Sequence, residues 1–169
     1  MNKLLFIPVL LLVTVSVSAQ ETFKVPEISD AAKYTSMVGQ ANALIANSIN
    51  YAKSQGKTME DIARFTGEQF KTSWNKEAGY NGFVNGVLYI STCFFPKAEI
   101  GILDQTEKSI TYKVVSDPEF LRGFPLLNVS IDEYLAYLKG VITVVGEYLG
   151  AEYMQEFKDS ILYVTIKKK

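Results

Sequence analysis

The sequence predicts an α+β domain, a small three-stranded antiparallel sheet packed against about four helices. Apolar residues recur at helical spacing over residues 31–52 and 131–149, each run behind a capping residue. The period changes to two over residues 98–114 and 160–167, the signature of strands with one apolar face. Three strands cannot close a barrel, so that face needs helices over it.

The elements follow in order. Residues 1–19 fit the three parts of a secretory signal peptide. Asn2 and Lys3 give a short, positive start, and Leu4 to Val17 is an apolar run broken only by Pro8, Thr14 and Ser16. Val17 and Ala19 take the −3 and −1 positions of a cut before Gln20. The run is too short for a membrane span, and no cysteine near the cut can carry a lipid. The expected product is exported to the periplasm or the outside, with no stable membrane anchor after cleavage. Removing 19 of 169 residues leaves 150, enough for one domain over 20–169 with a real core.

Ser29 caps a first helix whose stripe is Ala31, Val38, Ala41, Leu44, Ile45, Ile49 and Ala52, stopped by Gly56. Thr58 and Asp61 match a capping box for a second helix with Met59, Ile62, Ala63, Thr66, Phe70 and Trp74 on one face, broken at Gly79, Asn81 and Gly82. Residues 83–95 suit a helix by length, although Val87-Leu88-Tyr89-Ile90 would also suit a strand. Ala98, Ile100 and Ile102, then Ile110, Tyr112 and Val114, alternate on either side of a polar turn and predict a hairpin. Residues 119–128 read as a loop. Ser130 and Glu133 form a capping box ahead of the strongest helical pattern in the chain, from Ile131 to Leu149. A short polar stretch then leads to a last strand over 160–167.

Composition narrows the chemistry. The chain has no histidine, which removes the usual neutral-pH base, Ser-His and Cys-His nucleophile pairs, and imidazole metal sites. With Cys93 alone there is no intramolecular disulfide, and its neighbours Ile90 to Phe95 favour burial. The mature chain carries 16 Lys plus Arg against 18 Asp plus Glu, so nothing marks a nucleic-acid surface. No P-loop, dinucleotide glycine motif, G-x-S-x-G elbow, EF-hand or zinc spacing occurs, and no cofactor is expected. Asp117, Glu119 and Arg122 read as a solvated loop, and Glu147, Glu152 and Glu156 as an exposed face.

What remains is aromatic. Ten tyrosines and ten phenylalanines are a heavy load for one small domain, and apolar walls with a few polar tips suit small-molecule pockets. Tyr112, Tyr137 and Tyr148 are the candidate ligand-binding tips, with amphipathic filling of the core's edge as the competing explanation. From Thr58-Met59-Glu60-Asp61 through Phe94-Phe95-Pro96-Lys97, and again from Tyr148 to Ile166, the order resembles small-molecule-binding domains of the vinyl-reductase type. It also resembles the L-2-amino-thiazoline-4-carboxylic acid hydrolase family. The resemblance implies a ligand-pocket fold and assigns no catalytic residue.

The leading expectation is therefore an exported domain that binds a small, partly apolar ligand. A non-catalytic interaction or assembly protein, pairing into a homo-oligomer through the Ala-rich first helix or the sheet edges, is the alternative. A hydrolase using carboxylates or Cys93, whose thiolate would need Lys97 or a helix N-terminus, is the second.

Overall fold

A computed structural model describes residues 28–169 of the chain. The expected signal peptide and its cut between Ala19 and Gln20 lie outside the described residues. Over the described residues the architecture is α+β, with five α-helices and one four-stranded antiparallel sheet.

Helix α1 spans Asp30–Ser54 and starts where Ser29 accepts from the Ala32 N–H. Helix α2, Met59–Phe70, opens on the expected Thr58–Asp61 capping box. Two 3-10 turns, Lys71–Ser73 and Lys76–Ala78, lead into α3, Gly79–Phe94. Strands β1, Glu99–Gln105, and β2, Ser109–Val115, form the expected hairpin. A short helix α4, Pro118–Arg122, precedes α5, Ile131–Tyr148, whose capping box joins Ser130 and Glu133 as expected. Strands β3, Ala151–Lys158, and β4, Ile161–Lys168, complete the chain.

The sheet order is β1-β2-β4-β3, two hairpins joined edge to edge through β2 and β4. Its inner face buries Ile110, Tyr112, Val114, Ala151, Tyr153, Leu162, Val164 and Ile166. Helix α5 lies against β3, and α2 packs most extensively on α5. The two helices come close because their contact is built from small residues: a Cβ on Gly140 would collide with that of Ala63, and one on Gly67 would lie 2.7 Å from Val144 Cβ. Helix α1 is tied to α5 by a buried bond, in which the Tyr134 hydroxyl donates to Asn42 Oδ1 at 2.7 Å. The Tyr34 hydroxyl donates to the Thr92 carbonyl at 3.1 Å, joining α1 to the end of α3.

Several expectations need correction. The sheet has four strands rather than three, because Ala151–Lys158, read as a polar connection, is β3. Its inner face runs Ala151, Tyr153, Gln155 and Phe157, and the glutamine interrupts the apolar alternation. Gln155 is satisfied there, accepting from the Tyr153 hydroxyl at 2.9 Å and donating to the Leu135 carbonyl at 2.9 Å. The β3–β4 turn places Asp159 and Ser160 at φ 50° and 63°, conformations for which Asn-Gly is the usual signal.

Residues 118–122 form a helix inside the expected loop, with the Asp117 carboxylate accepting from the Glu119 N–H at 2.9 Å and Pro118 in the first turn. Gly79, Asn81 and Gly82, expected to end the second helix, instead open α3, and α2 has already ended at Phe70, short of Trp74. Leu44, placed on the core stripe of the first helix, is 67% exposed. Cys93 is half-buried, since it lies off the Phe83, Val87 and Ser91 face by which α3 enters the core.

The α2–α5 contact gives a test with an internal control. Gly140→Val should destabilise the fold by about 2 kcal/mol through overpacking against Ala63. Gly39→Ala, where a Cβ meets nothing within 4 Å, should stabilise it by roughly 0.5–1 kcal/mol. Urea midpoints read both signs.

Candidate functional site

The candidate site is a groove between α1 and α2. Helix α1 ends in a turn at Gln55 and Gly56, and Thr58 starts α2, so the chain doubles back within a few residues. The two helices touch lightly, and a space of about 740 Å³ opens between them. Leu44, Tyr51 and Phe65 form its apolar walls, Ala52 and Ile62 lie deeper, and Lys57 and Asp61 stand at one end.

Leu44 is 67%, Tyr51 70% and Phe65 68% exposed, which leaves most of each side chain available for contact. Asp61 is committed to its own helix, accepting from the Thr58 N–H at 3.0 Å and the Thr58 hydroxyl at 2.8 Å. Those bonds hold its carboxyl below the ordinary value, with the Lys57 charge adding to them. Lys57 itself enters no ion pair among the described residues. The groove therefore offers three large apolar surfaces and one unpaired cation.

The three tyrosines singled out from the sequence lie elsewhere, and none lines this groove. Tyr112 is fully buried on β2, its hydroxyl 3.3 Å from that of Ser91. Burial pushes its pKa up to about 12, partly offset by the Ser91 bond. Tyr137 is buried on α5. Tyr148 is half-buried at the end of α5, with the Lys76 and Lys71 ammonium groups 5.3 and 5.9 Å from its ring centroid.

The groove residues escaped sequence reading because Leu44 fits the core stripe of α1, and Phe65 sits off the main face of α2. Asp117 caps α4 and lies 3.6 Å from Lys97 Nζ, while Glu119 and Arg122 form an exposed pair at 3.8 Å. Glu152 and Glu156 lie exposed on β3. Among the described residues no group of three or more metal-ligating side chains gathers, and no helix is long and apolar enough to cross a membrane. Cys93 lies one turn from Tyr89, whose phenol is pushed up by the neighbouring thiol.

No family model matches the chain. No curated protein matches it significantly in sequence. Two solved structures are similar to it, the Fe(II) unliganded H-NOX protein of K. algicida and a point mutant of that protein. Each is 15% identical, with a TM-score of 0.37 over 71% of this chain and 68% of the other. A likeness this low supports no inference about fold or function.

Three core tyrosines set an alkaline limit on the fold. Burial raises the phenols of Tyr112, Tyr134 and Tyr153 above their ordinary 10.0. A raised native pKa stabilises the fold fully below the unfolded value and loses that contribution as pH climbs through the native one. Stability should therefore hold up to about pH 10 and fall between about pH 10 and 12. Tyrosinate absorbance at these sites should rise together with loss of near-ultraviolet dichroism, and Tyr112→Phe should soften the pH dependence.

Proposed function

We propose that the protein is an exported domain that binds a small, partly apolar molecule, and that the α1–α2 groove holds it. The observation that carries this reading is the convergence of Leu44, Tyr51 and Phe65, each about two-thirds exposed, on one concave surface. Its volume of about 740 Å³ falls within the range of roughly 300–1,000 Å³ common to small-molecule sites. An apolar body would lie between these side chains, and Lys57 would meet an anionic end. The resemblance in element order to vinyl-reductase-type domains points in the same direction. Absence of histidine from the sequence weighs against catalysis. Export rests on the leader pattern over residues 1–19.

An anilinonaphthalenesulfonate dye, an apolar body with one sulfonate, is a fitting probe. It should bind at one site per chain. Leu44→Ser and Phe65→Ser should each weaken it about tenfold, the loss expected when a side chain mostly free to pack against ligand is removed. Lys57→Gln should weaken it less, and Tyr112→Phe, Tyr137→Phe and Tyr148→Phe should leave it unchanged. Unaltered affinity in the Leu44 and Phe65 variants would sink the assignment.

Export has its own readout, the intact mass of the protein recovered outside the cytoplasm. A chain beginning at Gln20 is expected, and one beginning at Met1 would contradict cleavage.

A further inference from the structure

Helix α1 carries two stripes. The buried one is Val38, Asn42, Ala46 and Ile49. Beside it run Tyr34, Met37, Ala41, Leu44, Ser48 and Tyr51, spaced alternately by three and four residues, which is the spacing of a helix–helix seam. Along this second stripe Tyr34 is 46%, Met37 69%, Leu44 67% and Tyr51 70% exposed. From Tyr34 to Ala52 the helix contains no charged residue at all. A solvated helix face normally carries charge, whereas the centre of an interface is depleted of it.

The charges at the two ends of the helix select the occupant and its direction. Asp30 and Lys33 lie at the start, and Lys53 and Lys57 at or just beyond the end. Lys33 is paired with Asp30 in an exposed contact, Lys53 is paired with Glu133, and Lys57 is in no ion pair among the described residues. A parallel copy of the helix would set Asp30 against Asp30 and Lys57 against Lys57. An antiparallel copy centred on Leu44 sets Asp30 against Thr58, next to Lys57, Lys33 against Gln55, and Lys53 against Thr35, so no charge lies directly opposite its like.

The available area suits a second copy. Tyr34, Met37, Leu44, Tyr51 and, across the groove, Phe65 are half to two-thirds exposed. At about 150–250 Å² per large aromatic side chain they offer on the order of 600 Å² per copy. A standard interface takes about 800 Å² per partner, so a reversible dimer is the appropriate scale.

We propose that two copies of the chain pair antiparallel through α1, centred on Leu44, so that the N-terminal half of each helix roofs the other copy's α1–α2 groove. Met37 of one copy then faces Tyr51 of the other. Pairing stands on the stripe and the end charges. Only the roofing of a ligand rests on the groove reading above.

Sedimentation equilibrium of the purified chain should show a monomer–dimer equilibrium at micromolar concentration. Met37→Glu should weaken dimerisation at least tenfold with unchanged far-ultraviolet dichroism. Asp30→Lys and Lys57→Glu should each weaken it several-fold, and the double variant should recover most of the loss. A wild-type chain that stays monomeric, whether alone or bound instead to phosphatidylcholine vesicles, overturns the proposal. So does a dimer indifferent to Met37→Glu. Met37 does not line the groove. A Met37→Glu monomer that still binds the anionic dye therefore supports pairing and leaves the groove reading standing. A Met37-sensitive wild-type dimer that binds no dye supports pairing and counts against the groove alone.

Discussion

The fold depends on how closely α2 approaches α5. Ala63 and Gly67 on one helix meet Gly140 and Val144 on the other, and neither glycine position has room for a Cβ. Small residues at a crossing let backbones approach, and dispersion contacts grow as they do. Helix α5 is thereby covered on two sides, by α2 on one and by the sheet on the other, and it buries Tyr134, Leu135, Tyr137, Val141, Ile142 and Val145. The strongest apolar pattern in the chain thus belongs to the element with the most to bury.

Helix α1 is left on the outside of this stack. It docks by one stripe and is keyed by the Asn42–Tyr134 bond, which satisfies two buried polar groups. The helix has more apolar surface than the body can cover, and Met37, Leu44 and Tyr51 face solvent. Exposed apolar residues scattered singly need no explanation, but a stripe beside a groove, free of charge over its whole length, is what contact surfaces look like. The proposed ligand binding and the proposed self-pairing both rest on that single mismatch between the apolar surface of α1 and the space available under it.

Much of the fold was legible because local chemistry announces it. Ser29, Thr58 and Ser130 each accept from an early helix N–H, and the Asp61 and Glu133 partners close two capping boxes. The first hairpin was legible from its alternation. Strand β3 was hidden because Gln155 occupies an inner-face position and the turn after it uses Asp159 and Ser160 without glycine. The candidate site was hardly legible at all. A tyrosine's apolar body and polar tip suit a pocket and a core edge equally, and Tyr112 and Tyr137 went to the core.

By itself the sequence determined the α+β class, the starts of α1, α2 and α5, the first hairpin and the absence of imidazole chemistry and of an intramolecular disulfide, because each depends on residue type or on neighbours within a few positions. The tertiary structure alone decided that Leu44, Tyr51 and Phe65 are exposed around one groove, while Tyr112 and Tyr137 are enclosed. Spacing says which residues share a face of a helix or strand. Only the packing of α2, α5 and the sheet determines which of those faces find a partner within the chain and which remain open.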